Sequence, residues 1–224
     1  MLPVLARLVG DATMVAALLF AAAGTLSWWR AWVLVAALLL VRLTSAVAVY
    51  RVNANLLRDR ARLPLHADQQ WTDKLLLLGV LGSGFLGLPV VAGLDVFRWH
   101  VLPRPAVFVS SLGLLLFVVG WAIKGLALHA NAFATAAVRL QREHVVVDRG
   151  VYRIVRHPFY AADPLILVGL GLWLESYLAA LLSIVPLAFM VTRLSFEERF
   201  LRRELPGYAE YSARVPHRLF PGLW

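Results

Sequence analysis

Of the 224 residues, 61% are hydrophobic and only 16% charged, with a mean hydropathy of +0.74; this excludes a soluble domain of that length and predicts an integral membrane protein. The net charge of +9 is spread along the chain and not gathered on one soluble module, which argues against a nucleic-acid footprint. There is no cysteine, so disulfides, thiolate metal sites and a cysteine nucleophile are excluded.

Apolar runs near the roughly 20 residues that cross a hydrocarbon core predict helices at about 12–29, 31–50, 75–97 and 105–128. A further run from Leu165 to Leu194 is too long for one untilted span and is interrupted at Glu175, Ser176 and Tyr177. A lone Glu in mid-bilayer is costly, so the run is read as a tight hairpin of two short spans, six in all. Arg7 followed by an apolar run and "AAAG" also fits a cleaved signal peptide, which would leave five spans.

The charged loop from Arg51 to Lys74 has room for a surface helix, offers no chemical motif and is expected to be solvated. Beyond Arg193, Phe196, Phe200, Leu201 and Leu205 recur near helical spacing, and Glu198 precedes Arg202 by four positions. That pattern predicts a short amphipathic helix along the membrane surface as far as Leu205, ended by Pro206 and Gly207. The expected fold class is all-α, a polytopic membrane helix bundle with this tail over one face.

Six spans put Arg51, Arg58, Arg60, Arg62 and Lys74, the five Arg from Arg139 to Arg156, and the six from Arg193 to Arg218 on one side with Arg7. Arg30, Arg98 and Arg104 fall on the other, so the positive-inside rule places both termini in the cytoplasm. Only Lys74 and Lys124 are Lys among the basic residues, and Ala, Leu, Val and Gly abound. This suggests a GC-rich coding genome and hence a bacterial inner membrane.

Between the fourth and fifth spans stands "RIVRHPFYAADP", residues 153–164. A Pro keeps the preceding residue extended, so His157 is presented at the mouth of a helix that Pro158 opens. Arg156 and the free amides of the first turn then make an anion-friendly pocket at the bilayer edge. Arg and His there also fit ordinary interfacial anchoring.

The stretch "VVVDRGVYRIVRHPFY", followed about 30 residues later by "RLSFEERFLRRELPGYAEYSARVP", resembles the isoprenylcysteine carboxyl methyltransferase and phospholipid methyltransferase superfamily of integral membrane enzymes. The positions carrying the resemblance are Gly150, Tyr152, Arg156, His157, Pro158 and Tyr160, then Glu197, Glu198, Leu201, Tyr208, Tyr211 and Arg214, within the last 95 residues or so. It implies one integral membrane domain over 1–224, with four N-terminal spans in 1–130 and a cofactor-binding catalytic core in 131–224. It also implies S-adenosylmethionine as cofactor, bound at the cytoplasmic membrane edge under the tail without a Rossmann fold.

S-adenosylmethionine presents a carboxylate, an amine, an adenine and a sulfonium, so its site needs a cation, an anion and flat apolar surface together. Arg156 or His157 suits the carboxylate, and Glu197 or Glu198 the amine or ribose hydroxyls. Tyr152 or Tyr160 suits adenine or the sulfonium, and Gln141 a hydrogen bond to adenine or the amine. Plainer readings stand beside these. Gly150 fits a simple turn, Tyr208 and Tyr211 interfacial aromatics, Glu198 a surface charge paired with Arg202, and Asn131 a helix cap.

One departure from the superfamily pattern is Ala162 where Gly is usual, followed by Asp163 and Pro164. Asp163 is read as an N-cap at which a helix restarts, with an intramembrane carboxylate facing the pocket as the alternative. Lys124 is expected to snorkel and Glu175 to sit at the hairpin turn.

Methyl transfer from a sulfonium asks the protein for positioning, desolvation and charge placement. No metal is expected, since the histidines show no ligand spacing. An ionised carboxylate acceptor needs a cation such as Arg193 or Arg214, whereas an amine or thiol needs a base, for which Glu197 is the candidate. The expected reaction is O-methylation of an isoprenylcysteine-type carboxylate on a lipophilic small-molecule or lipidated substrate drawn from the membrane lipids. The alternatives are phospholipid N- or thiol S-methylation, an NADPH-dependent membrane reductase, and a transporter or scaffold using Asp163, Glu175, Arg42 and Lys124 as pathway charges.

Overall fold

The computed structural model describes residues 1–61, 69–134 and 145–222. Five helices are long and apolar enough to cross a membrane: α1 (Leu2–Ala23), α2 (Trp29–Arg60), α3 (Trp71–Trp99), α4 (Val107–Ala130) and α6 (Tyr177–Glu204). A sixth, α5 (Pro158–Trp173), is apolar but only 16 residues long. A short helix, α7 (Tyr208–Arg214), closes the tail. The described residues are helical or irregular, without strands, as the apolar periodicity requires.

The spans alternate between two ends. At one, Arg30 pairs with Glu175 at 3.1 Å and donates to the carbonyl of Trp173, whose indole N–H donates back to the carbonyl of Arg30. Arg104 lies 3.9 Å from Glu175. Glu175 has φ +64 in the α5–α6 turn, where it was expected. Ser176 caps α6 by accepting from the Ala179 N–H and donates its own hydroxyl to buried Asp95 at 2.6 Å. The hairpin is thereby pinned to α3.

Helices α4 and α5 pack most intimately because both are notched with glycine. A Cβ on Gly169 would stand 2.6 Å from the Gly113 carbonyl, and one on Gly120 would meet Ile166 at 2.6 Å. Small residues at such crossings let backbones approach, the usual means of helix association in lipid.

Several boundaries differ from expectation. Helix α2 runs on to Arg60 with a break at Asn53 (φ −152, ψ 71), whose side chain accepts from the Leu56 N–H and restarts the helix. Arg58 and Arg60 are therefore helical, as the surface-helix reading allowed, but in continuation of the span, with Arg58 exposed and Arg60 partly buried. The tail segment from Ser195 to Glu204 is not a separate surface helix: α6 continues through it, and Leu205 to Gly207 (φ +80) end it. Asp163 is not a cap, because α5 runs from Pro158 without interruption and carries Pro164 inside it.

Candidate functional site

The end of the bundle opposite Glu175 gathers the polar residues. A 3-10 turn at Gly150–Arg153, which Gly150 opens at φ +59, delivers the chain to Arg156 and His157. Their backbone N–H groups donate to the carbonyls of His217 and Arg218, both at 2.9 Å, so the tail straps this segment down. His157 is non-helical (φ −125, ψ 62) and Pro158 opens α5, as the His-Pro sequence demands.

Behind them stands Glu198 of α6, 2% exposed. Its Oε1 lies 2.8 Å from an Arg156 guanidinium nitrogen, and its Oε2 2.7 Å from His157 Nε2. Arg202 approaches Oε1 at 3.3 Å. Arg156 also donates to the Val215 carbonyl at 2.6 Å, while its buried Nε–H has no partner among the described residues. The Tyr208 hydroxyl is 3.3 Å from His157 Nε2.

A second chain of contacts runs alongside. Tyr160 donates to Glu197 at 2.6 Å and accepts from Arg193 at 2.7 Å. Arg193 is itself held by Asp73 of α3 at 2.6 Å, and Asp73 accepts from Gln69. The Tyr211 hydroxyl donates to the Tyr152 carbonyl at 2.8 Å, and the Tyr152 side chain hydrogen-bonds Asn131.

Burial, reinforced by Glu197 and opposed by the Asn131 hydrogen bond, pushes the Tyr152 phenol up to about 12. Burial first, then Glu198, raises Tyr208 above the ordinary range, and burial followed by Tyr152 does the same for Tyr211. All three keep their protons at neutral pH, and Tyr211 donates its own to the Tyr152 carbonyl.

These residues border a cavity of about 390 Å³ that continues between the helices. Its lining includes Tyr152, Arg156, His157, Tyr160, Arg193, Glu197, Tyr208 and Tyr211 from the sequence motifs, so Tyr208 and Tyr211 are cavity walls and not interfacial aromatics. Glu198 supports Arg156 and His157 from behind without lining the cavity. Gly150 sets the turn from outside it. Arg214 is largely exposed and pairs with Asp148 at 2.9 Å, apart from the cavity. Gln141 lies outside the described residues.

Reading by motif missed Asp73 and Arg60, which sit in the stretch expected to be solvated. It also misread the intramembrane charges. Lys124 does not snorkel but pairs with Asp163 at 2.6 Å, and Arg42 pairs with Asp11 at 2.8 Å. All four line the same cavity. A rule treating intramembrane charges as functional by default pointed to them.

Residues 108–206 match the family model described as Phospholipid methyltransferase. Protein-S-isoprenylcysteine O-methyltransferase B of Arabidopsis thaliana is 31% identical over 114 residues, 49% of this chain and 58% of that protein. The cobalt-zinc-cadmium resistance protein CzcN of Cupriavidus metallidurans is 31% identical over 112 residues, 49% of this chain and 50% of that protein. The chain thus matches little more than half the length of these relatives. The eukaryotic intramembrane Ras methyltransferase, isoprenylcysteine carboxyl methyltransferase, has a similar fold: TM-score 0.55 at 17% identity, over 91% of this chain and 71% of that one. Together these matches support the superfamily that the motifs resemble.

Proposed function

We propose that this member of the phospholipid and isoprenylcysteine methyltransferase superfamily transfers a methyl group from S-adenosylmethionine to a lipophilic acceptor at the cytoplasmic face of a bacterial inner membrane. The observation that carries the reading is the buried Arg156–Glu198–His157 cluster at the wall of a cavity running between membrane helices.

The cavity suits the cofactor chemically. Its volume falls within the range of small-molecule sites. Arg156 carries a buried N–H without a partner among the described residues, Glu197 is an anion facing the cavity, and Tyr152, Tyr208 and Tyr211 supply aromatic surface. Arg156 and His157 would hold the methionine carboxylate, and Glu197 the amine or ribose hydroxyls, since both oxygens of Glu198 are already committed. The cofactor, when bound, supplies an electrophilic methyl carbon.

The protein's own work is then to orient and to exclude water. Glu198 fixes Arg156 and His157 at once, and the tail carbonyls of His217 and Arg218 fix their backbone. Tyr160, oriented by Arg193, holds Glu197 in place. Arg193, linked to Glu197 through the Tyr160 hydroxyl, offers a cation for an acceptor carboxylate of the isoprenylcysteine type, the substrate named for the Arabidopsis relative. Arg214, exposed and paired with Asp148, would contribute at the rim and not inside.

Purified protein incubated with methyl-tritiated S-adenosylmethionine and a bacterial lipid extract should pass tritium to the organic phase. His157→Ala should reduce that transfer at least about a hundredfold, the scale of misplacing a bound reactant by about 1 Å. Transfer by His157→Ala at the unsubstituted rate would contradict the assignment.

A further inference from the structure

The cavity does not stop at Arg156 and His157. Its far wall is built largely from α1 and α2, outside the family match, together with the inner part of α4. That wall carries four cations, Arg7, Arg42, Arg60 and Lys124, against two carboxylates, Asp11 and Asp163. Asp11 is shared between Arg7 at 2.9 Å and Arg42 at 2.8 Å. Lys124 takes Asp163. Arg60 donates to the Ala134 carbonyl and has no carboxylate within ion-pair distance among the described residues.

The cations are crowded around two rings. Arg42 and Lys124 lie 4.9 and 5.6 Å from the Trp121 ring centre, and Lys124 and Arg60 lie 4.1 and 4.5 Å from that of Phe159. The Trp121 indole N–H is buried without a partner among the described residues. At 1.5 Å per residue, Lys124 stands about 9 Å inward from the end of α4, and Asp163 about 8 Å inward from the start of α5.

Among the described residues the cations of this wall outnumber its carboxylates by two, and buried charge without a counter-charge is unfavourable, a cost that aromatic faces offset only in part. Beside it the cavity is apolar, walled by Val4, Leu8, Ala46, Val49 and Leu57. Surplus cations, an unsatisfied donor and an apolar flank are complementary to one chemical class.

We infer that this inner end binds the anionic group, carboxylate or phosphate, of a membrane amphiphile, through Arg42, Arg60 and Lys124, with its chain along the α1–α2 wall. That the amphiphile is the methyl acceptor rests on the function proposed above; that the site takes an anion does not.

The test uses the full chain in phosphatidylcholine nanodiscs and measures saturable binding of labelled palmitate, hexadecyl phosphate and neutral hexadecanol. At least one anion should bind about tenfold more tightly than the alcohol, and whichever is tighter identifies the headgroup chemistry. Arg60→Gln should weaken binding of that anion about tenfold and Arg60→Lys by less than about threefold, with affinity for S-adenosylhomocysteine unchanged in both.

Equal binding of hexadecanol and both anions overturns the inference, as does full anion affinity in Arg60→Gln. The comparison of ligands on the unsubstituted protein decides the matter even if that variant does not fold. Failure of S-adenosylhomocysteine to bind the unsubstituted protein would count against the methyltransferase reading alone and leave the anion comparison standing.

Discussion

At Glu198 one carboxylate restrains both residues that sequence reading selected for the cofactor's negative end. Spacing alone left it as a possible surface charge paired with Arg202 at i+4. That contact exists, but it is the outer and longer one, and the two short contacts reach 41 and 42 positions back in sequence. No local pattern reveals such a partner. Breaking a buried charged pair by neutralising one member costs about 3–5 kcal/mol. Glu198→Gln should therefore lower the thermal unfolding midpoint in detergent clearly, whereas Arg202→Gln, at an exposed position, should leave it nearly unchanged.

The buried tyrosines make a separate prediction about pH. Tyr152 holds its proton to about 12 in the folded protein, whereas an unfolded tyrosine releases it near pH 10. The unfolded state thus binds fewer protons between those values, and stability falls as pH rises through that window. Below about pH 10 the contribution is fully present. Thermal unfolding of Tyr152→Phe followed from pH 9 to 12 should decline less steeply than that of the unsubstituted protein.

Among the elements, the hairpin and the helix opened by Pro158 were legible because they depend on local rules: a Glu that the bilayer disfavours, and a proline whose missing N–H costs nothing at a helix's first position. The charged part of α2 was not. A search for apolar runs sees only the lipid-immersed part of a helix, so it stopped at Tyr50 and left Arg60 outside the span, in a stretch with room for a separate surface helix. Asn53, which restarts the helix after its break, was the available signal.

The α4–α5 contact carries the site, since Asn131, just past the end of α4, meets Tyr152, and His157 immediately precedes α5. It depends on backbone approach at Gly113 and Gly169. Gly169→Leu places a side chain where a Cβ alone already stands 2.6 Å from the Gly113 carbonyl. Overpacking of this kind costs about 1–3 kcal/mol or more. The variant should unfold at a lower temperature and lose cofactor affinity as the helices part, although residue 169 borders no part of the cavity.

Across the whole molecule, sequence and structure agree on the layout because charge sidedness is a global rule needing no contact information. Arg30, Arg104 and Glu175 meet at one end, and Arg60, Arg156, Arg193 and Glu198 gather toward the other. What sequence could not convey is that the N-terminal helices share the cavity. Their charges looked scattered along the chain, and only the packing of α2 against both α1 and α4 brings Asp11, Arg42 and Lys124 to one wall.

The account stands on the cavity beside Arg156 being the cofactor site. Calorimetric titration of S-adenosylhomocysteine into the purified full chain tests this most directly, with Arg156→Met in parallel. Saturable one-to-one binding by the unsubstituted protein, weakened at least about tenfold in the folded variant, is the predicted result. Equal affinity in the two proteins, or no binding by the unsubstituted one, would contradict it.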